Sequence, residues 1–486
     1  MVNQAALVNA LGRERVVRDA EVLEEHAGDM SFCPRVRPSS VVRVSHAEQV
    51  RALIRFANET KTPLVPVSSG APHFRGDTVP GAGGAVVVDL SGMKKIQFVD
   101  RERRVAMCEP GVRFGELIEA ARKVGLRLNM PLLPRATKSV VGSVLEREPV
   151  QMPGYQWDVS DPLACAGLYF GNGEEFRTGQ AAGPGTIEEQ WKVGGVQKAP
   201  YGPGTASWHR LIQGAQGTMG IVTWVSMRCE LLPALEEPYV LGGAELEPLL
   251  ELAYWLIRLR SVNECFIVNA QNLAQMFAPA GEAARVRAGL PAWTLFYTVA
   301  GYEYFPEQRV AAHLSEIDEV AQRLSLSPQR AVGALSAQGL LRAAQAPCAG
   351  TYWKLRERGA CEDVGYLTVR ERLGEQIGAL GALAGRAGYA AGDVGVYIQP
   401  AVQGTSYHCE FNLFYDPTDG RERAQVRALA SAAVPALMGR GAFFSRPYGE
   451  SAGAIVNRDA ATHGVLRTIK KIFDPNNVMN PGKVGF

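Results

Sequence analysis

Short apolar segments that end in glycine-rich turns constrain the fold of this chain more than any other feature. Leu64–Val67 runs into the turn 68–77, and Val105–Glu109 runs into Pro110 and Gly111. Apolar runs of about four to eight residues bounded by Gly and Pro are typical of buried β-strands. The chain has 52 glycines and 29 prolines among 486 residues, which allows many tight turns. The pattern predicts a multi-stranded protein whose backbone segments approach one another closely.

Helical segments alternate irregularly with these strands. Apolar residues recur at helical spacing in 46–60, and the first 30 residues read as a polar helix. Irregular alternation favours an α+β fold over a doubly wound parallel sheet. A chain of 486 residues predicts two or three domains. Because the composition changes near 232–237, we expect a first domain over 1–235, a second α+β domain over 236–464 and a tail over 465–486.

Charge, hydropathy and cysteine usage exclude several classes of protein. The chain has 51 Lys and Arg against 49 Asp and Glu, so it lacks the basic excess that is typical of proteins that bind nucleic acid. No run of about 18 apolar residues predicts a membrane span. The N-terminal residues carry Arg and Glu where a secretory leader needs an apolar core, so we expect a cytoplasmic protein. The eight cysteines stand singly, without the spacing of a zinc, iron–sulfur or haem site, so no metal is expected.

Three glycine-rich segments are candidates for anion binding: 66–77, 216–223 and 474–483. Backbone N–H groups in such loops can point at one phosphate. Neither the dinucleotide fingerprint GxGxxG after a strand nor the P-loop GxxxxGK[ST] is present, so a nicotinamide or P-loop site is not expected. Each segment alone is also typical of an ordinary turn, and their order along the chain carries the argument.

Taken together, these segments resemble the FAD-linked oxidase superfamily. The resemblance is to the flavin domain of the vanillyl-alcohol oxidase and p-cresol methylhydroxylase type, and to the flavin subunit of glycolate oxidase. It rests on six stretches in the family's order: SSVVRVSHAEQVRALIRFANETKTPLVPVSSG, GAVVVDLSGMKKI, CEPGVRFGEL, GNGEEFRTG, LIQGAQGTMGIVTWVSMRCELLP and FDPNNVMNPGK. The stretches cover most of 38–235 and the tail, whereas 236–464 matches only in patches.

The resemblance implies a two-part FAD-binding domain, a second domain that caps the flavin, and a tail that returns to the first domain. It also implies which residues bind FAD. By motif position these are Ser68, Ser69, Gly70, Ala71 and His73 in the first loop, Ser139, Val140 and Gly142 in the second, Gly217, Gly220, Ile221 and Val222 in the third, and Asn480 and Lys483 in the tail.

Alternation along the strand 404–417 places His408, Glu410 and Asn412 on one face. Three polar groups on an otherwise apolar strand indicate either an active-site wall or a solvent-facing edge. The resemblance implies further catalytic candidates: Asp158, Arg446, Arg75 and Tyr448. It leaves Tyr407 or His408 as the positions for a covalent flavin link.

The sequence departs from the hydroxyacid-oxidising members of the superfamily at two positions. Ala401 stands where those members have a metal-binding His, and Ser451 stands where they have a basic His. Both the metal and that base are therefore in question for this chain.

The resemblance implies an FAD-dependent dehydrogenase that removes a hydride from a C–H next to a hydroxyl in a small anionic substrate, such as a 2-hydroxy acid. Arg446 and Arg75 would hold the anionic group, because a guanidinium binds a carboxylate through two donors. Two alternatives stay open: oxidation of a 4-alkylphenol or aryl alcohol, and a non-catalytic flavin subunit that relays electrons. Electrons would pass to oxygen or to a partner, which could be an iron–sulfur protein, a cytochrome or an electron-transfer flavoprotein, in a homo- or hetero-oligomer.

Overall fold

A computed structural model describes residues 3–202, 204, 207–457 and 459–486. Its strands form separate sheets with helices packed against them, so the α+β class predicted from the sequence is confirmed.

The first sheet has the strand order β1-β2-β4-β3. Its strands are β1 Val16–Val17, β2 Ser40–Arg43, β3 Leu64–Val67 and β4 Val86–Asp89. Strands β2, β4 and β3 run parallel, and β1 pairs antiparallel with β2. The helices of this region are α1 Gln4–Leu11, α2 Ala20–Glu25 and α3 Ala47–Thr60. Helix α3 forms because Val50, Leu53 and Ile54 share one face, which is buried among the β-strand side chains.

The prediction of one polar helix over the first 30 residues was wrong. Helix α1 ends at Gly12, whose φ of +92° suits glycine, and α2 begins only after Asp19. The Asp19 carboxylate caps α2 by accepting hydrogen bonds from the backbone N–H groups of Glu21 and Val22. Gly12 is the sequence signal for this break, because glycine often follows the last residue of a helix.

The second sheet has the order β5-β6-β10-β8-β9, with β7 also paired to β10, and its pairs are antiparallel. Its strands are β5 Ile96–Asp100, β6 Val105–Cys108, β7 Leu126–Leu128, β8 Leu163–Phe170, β9 Glu175–Arg177 and β10 Gly220–Leu231. Its helices are α4 Phe114–Lys123, α5 Val140–Glu146, α6 Ile187–Val193 and α7 His209–Ile212. The hairpin predicted at Gly171–Gly173 is confirmed, because β8 pairs directly with β9.

The third sheet has the order β11-β13-β12-β17-β18-β16, so β16 is an edge strand. Its strands are β11 Leu235–Gly243, β12 Cys265–Asn269, β13 Trp293–Gly301, β16 Ala360–Thr368, β17 Val394–Ala401 and β18 Ser406–Tyr415. A separate small hairpin consists of β14 Ala331–Val332 and β15 Leu335–Ser336. The helices that follow β11 are α8 Glu247–Arg258, α9 Ala270–Phe277, α10 Ala283–Ala288, α11 Pro306–Arg323, α12 Ala337–Ala344, α13 Leu373–Arg386, α14 Gly420–Met438, α15 Ala452–Val456 and α16 Ala460–Phe473.

The third sheet is covered on both faces, which decides where its polar residues point. Along β18, Tyr407, Cys409 and Phe411 face the hydrophobic core that contains α8, α13 and α14. His408 and Glu410 therefore lie on the opposite face.

The tail after α16 returns to the first sheet. The backbone N–H of Leu64 donates to the carbonyl of Val478 (2.7 Å), and the N–H of Asn480 donates to the carbonyl of Leu64 (2.8 Å). The buried Lys470 ammonium donates to the carbonyls of Thr218 (2.5 Å) and Met479 (2.9 Å), and it also pairs with Asp474. The tail thus contacts both the first sheet and the start of β10.

Arg127 links the second sheet to the third. It is 8% exposed, and its guanidinium donates to Glu236 (2.6 Å) and to Glu264, which is 1% exposed. We expect Arg127→Met to lower the free energy of unfolding by about 3–5 kcal/mol, because it leaves the buried Glu264 charge poorly compensated. Denaturant unfolding measures this change.

Arg323→Met is the matched control, because Arg323 pairs with Glu319 on the surface and its side chain is 71% exposed. That variant should change stability by less than about 1 kcal/mol. Equal losses in the two variants would contradict a special role for the Arg127 linkage.

Candidate functional site

The first and second glycine-rich loops are joined by hydrogen bonds. The Ser69 hydroxyl oxygen accepts from the backbone N–H of Ser139 (3.0 Å), and the Gly70 N–H donates to the carbonyl of Thr137 (3.0 Å). Ser139 also caps α5, because its hydroxyl accepts from the Gly142 N–H (2.9 Å) and donates to the Pro110 carbonyl (2.5 Å). The loop after β3 therefore lies directly against the start of α5.

The tail joins the first loop to the third. Asn480 is 1% exposed, and its Nδ2 donates to the carbonyls of Asp77 (2.9 Å) and Gln216 (2.7 Å). One side chain thus holds three segments that are far apart in sequence.

These loops enclose a cavity of about 1160 Å³, which we call the loop cavity. Of the residues predicted from the sequence, its wall contains Ser68, Ser69, His73, Arg75, Gly142, Gly217, Gly220, Ile221, Val222 and Tyr448. Within the described residues, the wall does not include Gly70, Ala71, Ser139, Val140, Asn480 or Lys483. Ser139 and Asn480 hold the loops in place through the hydrogen bonds given above.

Two glycines of this wall have no room for a side chain. A Cβ on Gly142 would lie 3.0 Å from the Ser68 hydroxyl oxygen and 3.2 Å from that of Ser69. Gly217 has a φ of +70°, and a Cβ there would lie 2.4 Å from the Pro66 ring. The glycines therefore allow the three loops to approach one another closely.

A charged group that the sequence analysis missed lies in the same cavity. Lys138 Nζ contacts Glu146 (2.5 Å) and Glu148 (3.5 Å), and Arg75 Nε contacts Glu146 (3.3 Å). Burial opposes the ionisation of Glu148, but Lys138 and Arg75 outweigh it and lower its pKa to about 2. Arg75 was predicted from the sequence, whereas Lys138, Glu146 and Glu148 lie in a segment with no periodic charge pattern, so no sequence signal indicated them.

A second cavity of about 780 Å³ adjoins the first, and we call it the edge cavity because it is lined by both faces of the edge strand β16. The two cavities share Phe74, Arg75, Asp363 and Tyr448. The Arg75 guanidinium lies over the Tyr448 ring, 5.4 Å from its centroid.

Arg446 lines the edge cavity and is 8% exposed. Its Nη1 is buried and has no hydrogen-bond partner among the described residues. Burial and the nearby Arg75 lower the pKa of Arg446, yet a guanidinium keeps its charge in a protein. A buried cation without a partner is costly, which indicates that this group binds an anion.

Gly365 connects the edge cavity to His408 and Glu410. A Cβ on Gly365 would lie 3.1 Å from His408 Cε1, 3.4 Å from Arg446 Nη2 and 3.6 Å from Glu410 Oε2. The missing side chain thus leaves a space where three functional groups meet. Burial lowers the pKa of His408, so its imidazole is neutral near pH 7. The His408 Nε2 lies 3.5 Å from Glu410 Oε2, which is too long for a strong hydrogen bond.

Lys354 holds the polar face of β18, and the sequence analysis missed it. Lys354 is 5% exposed, and its ammonium contacts Asp363 (2.5 Å) and Glu410 (2.7 Å). Asn412 Nδ2 donates to the same two carboxylates, at 2.7 Å and 2.8 Å. Burial would raise the pKa of Glu410, but Lys354 outweighs it and holds that pKa well below its usual range. Glu410 is therefore an ionised, fixed carboxylate.

Comparison with known proteins identifies the superfamily. Residues 38–149 match the FAD binding domain family, and 457–484 match the family of FAD linked oxidases, C-terminal domain. The 4-cresol dehydrogenase [hydroxylating] flavoprotein subunit of Pseudomonas putida is 23% identical, over 92% of this chain and 88% of its own. The D-2-hydroxyglutarate dehydrogenase of Stutzerimonas stutzeri is 22% identical over 97% and 96%. The mitochondrial D-lactate dehydrogenase [cytochrome] of Arabidopsis thaliana is 22% identical over 92% and 73%.

The fold agrees with the sequence matches. The crystal structure of p-cresol methylhydroxylase superposes with a TM-score of 0.83 at 18% identity, covering 100% of this chain and 96% of that one. The chain is thus similar to the FAD-linked oxidases in sequence and in fold. FAD is its cofactor, and the protein is an FAD-dependent oxidoreductase. The expected flavin domain with a cap domain is confirmed as the fold class of this protein.

The residues of the loop cavity fit the chemistry of FAD. A diphosphate needs N–H donors, and Arg135 lines this cavity with a buried Nε that has no partner among the described residues. Buried Thr137 Oγ1, beside Gly70, is also unpartnered in the described part of the chain. Burial lowers the pKa of His73 to about 3, so its ring is neutral and can donate one hydrogen bond.

Of the residues predicted to act on the flavin or the substrate, His408 and Glu410 lie behind Gly365 and line neither cavity, whereas Asp158 and Tyr407 lie away from both. The Asp158 side chain is 33% exposed, pairs with Arg210 and lines a separate cavity with Trp157. Its carboxylate also accepts from the Ser160 N–H (2.9 Å), so a local turn fixes its direction. Tyr407 faces the hydrophobic core because strand alternation places it opposite His408. We therefore leave both residues out of the proposed catalytic set.

No cluster of three or more His, Cys, Asp or Glu with metal-binding geometry occurs among the residues that the structure describes. Over those same residues, no helix combines the length and the apolar character that crossing a bilayer requires.

Asn480 allows a test of loop convergence. We expect Asn480→Ala to weaken FAD binding at least 10-fold, because two buried carbonyls lose their donor and unpaired buried groups cost about 1–3 kcal/mol each. Equilibrium dialysis with flavin fluorescence measures the affinity. Asn476→Ala is the control, because Asn476 lies in the same tail but on the surface, bonded to Asn58. Equal flavin affinity in the two variants would contradict this role of Asn480.

Proposed function

We propose that this enzyme oxidises a small anionic substrate by removing hydride from a C–H next to a hydroxyl, with 2-hydroxy acids as the leading class. The observation that carries the proposal is the buried guanidinium of Arg446, whose Nη1 has no hydrogen-bond partner among the described residues, in a cavity that adjoins the loop cavity. The names of two relatives, D-lactate dehydrogenase [cytochrome] and D-2-hydroxyglutarate dehydrogenase, support the same class.

Arg446 binds the anionic group of the substrate in this proposal. Its Nη1 has the free donor, and a guanidinium can bind a carboxylate through two parallel hydrogen bonds. Arg75 adds a second positive charge at the junction of the two cavities, although Glu146 partly neutralises it. The pair therefore orients the substrate at the flavin end of the edge cavity.

His408 is the proposed acceptor of the hydroxyl proton. Its imidazole is neutral near pH 7, and Gly365 leaves space between it and the edge cavity. Once protonated, His408 is stabilised by the Glu410 carboxylate 3.5 Å away. Lys354 keeps Glu410 in place and ionised through a 2.7 Å contact. Bound FAD supplies the hydride acceptor for the reaction.

A second candidate substrate is a 4-alkylphenol or aryl alcohol. Phe74, Tyr448 and Phe444 give the edge cavity an aromatic lining that suits a phenyl ring. The 4-cresol dehydrogenase relative supports this reading by its name. A phenolate is also an anion, so Arg446 would bind it in the same way.

We also propose that electrons leave to a partner protein. One relative is named a flavoprotein subunit, and another is named for a cytochrome acceptor. Reduction of the purified protein followed by mixing with a cytochrome tests this proposal.

The substrate is tested by anaerobic bleaching of the flavin absorbance with a panel of compounds. Bleaching by 2-hydroxy acids supports the leading proposal. Bleaching by 4-alkylphenols or aryl alcohols alone would overturn it in favour of the second candidate. Bleaching by none of them would refute both.

Arg446→Gln should raise KM for the bleaching acid about 100-fold, because a charge-assisted hydrogen bond contributes up to about 3 kcal/mol. Steady-state kinetics with a dye acceptor provides KM and kcat. Arg421→Gln is the control, since Arg421 is exposed at the start of α14. An unchanged KM in Arg446→Gln would remove the anion-binding role.

Gly365→Ala should lower kcat at least 10-fold while FAD content stays constant. The added methyl would lie 3.1 Å from His408 Cε1 and fill the space through which the proton must pass. Gly378→Ala in α13 is the control, because a Cβ there meets nothing within 4 Å. The proposal that His408 acts across Gly365 fails if rapid-mixing kinetics show normal flavin reduction in Gly365→Ala.

A further inference from the structure

Glu362 lines the edge cavity together with Arg446, and within the described residues no hydrogen bond or ion pair involves its carboxyl group. The neighbouring carboxylates differ in this respect. Asp363 contacts Lys354 (2.5 Å), and Glu450 pairs with Arg427, whose Nε donates at 2.7 Å. Asp29 accepts from the Gly76 N–H at 2.6 Å. Glu362 is thus the carboxyl of this group that is left to interact with a ligand.

The charged groups around Glu362 come from several elements. Asp363 lies beside it on β16, Asp29 on the N-terminal segment, Glu450 on the turn before α15, and Arg75 on the loop after β3. Arg427 on α14 lines the same cavity and pairs with Glu450. Burial raises the pKa of Glu362 to about 8, with Asp363 and Asp29 adding to the rise and Arg75 opposing it. At pH 7 the carboxyl is therefore mostly protonated and can donate a hydrogen bond.

Glu362 and Arg446 line the same cavity. Glu362 and Gly365 are three residues apart on β16, so they face opposite sides of that strand, and a Cβ on Gly365 would lie 3.4 Å from Arg446 Nη2. Because β16 is an edge strand, side chains from both of its faces reach the cavity. The unpaired cation and the unpaired carboxyl therefore lie at two ends of one space.

We propose that Glu362 determines the charge of the substrate, so that the cavity takes a 2-hydroxy acid with one anionic group at Arg446 and an uncharged hydrogen-bonding group at Glu362. The inference rests on the proposed function. The acidic groups that keep Glu362 protonated also repel a second carboxylate at that end. The Glu362 hydroxyl instead donates to a neutral oxygen, such as that of an amide.

The test compares 2-hydroxyglutarate with its 5-amide, which has the same carbon chain but one charge fewer. We expect kcat/KM for the amide to exceed that for the dianion at least 10-fold at pH 7. For the amide, kcat/KM should fall as the pH rises through about 8, because Glu362 ionises, loses its donor and adds a negative charge. If neither compound is turned over, their inhibition constants against the acid that bleaches the flavin give the same comparison.

Two variants separate this role from a structural one. Glu362→Gln keeps a donor at every pH, so the fall near pH 8 should disappear while FAD content and melting temperature stay unchanged. Glu362→Lys places a cation at that end and should move the preference at least 10-fold toward the dianion. Glu102→Gln is the control, because the Glu102 side chain is 87% exposed and far from the cavity in the fold. If Glu362→Lys does not fold, the pH profile of Glu362→Gln decides the question.

The outcomes distinguish the two proposals. If no 2-hydroxy acid bleaches the wild-type flavin, the proposed function fails and this inference falls with it. If acids do bleach it, but Glu362→Gln keeps the wild-type fall near pH 8, the role of Glu362 is overturned and the proposed function stands.

Discussion

Two hydrogen bonds from the Asn480 amide hold the flavin site together. They reach the carbonyl of Asp77 in the first loop and that of Gln216 in the third, while Ser69 connects the first loop to the second through Ser139. Each bond is short-range, but together they fix segments separated by hundreds of residues. The loop cavity exists because these backbones are held close, and its glycines make that closeness sterically possible. The substrate binding and proton transfer proposed for the adjoining cavity both depend on this frame.

Pairing of charges separates the structural groups from the functional ones. Lys354, Asp363 and Glu410 satisfy one another, as do Lys138 and Glu146, so their geometry is preorganised. Arg446 and Glu362 in the edge cavity have no such partners among the described residues. Unpaired polar groups that line a cavity beside such a paired network are the ones left to bind a ligand.

Local patterns predicted the parts of the site that depend on local structure. Alternation along β18 placed His408 and Glu410 on one face, and the glycine-rich turns marked the loops. The same alternation excludes Tyr407 from that face, although its motif position had made it a candidate for a covalent link to the flavin. Lys354 could not be predicted, because its partners lie on strands brought close only by the folded sheet. Asp158 was predicted to be catalytic from its motif position, but a local turn and the ion pair with Arg210 set the direction of its side chain.

The return of the tail to the first sheet has a consequence for biosynthesis. Residues 474–480 leave the ribosome long after the first two glycine-rich loops, yet Leu64 bonds to Val478 and Asn480, and Asn480 joins the first loop to the third. A nascent polypeptide that has not yet reached this segment has the glycine-rich turns but lacks the hydrogen bonds that align them. If the loops bind the dinucleotide as proposed, its loading waits for the synthesis of this segment, and flavin uptake would report when the loops have been joined.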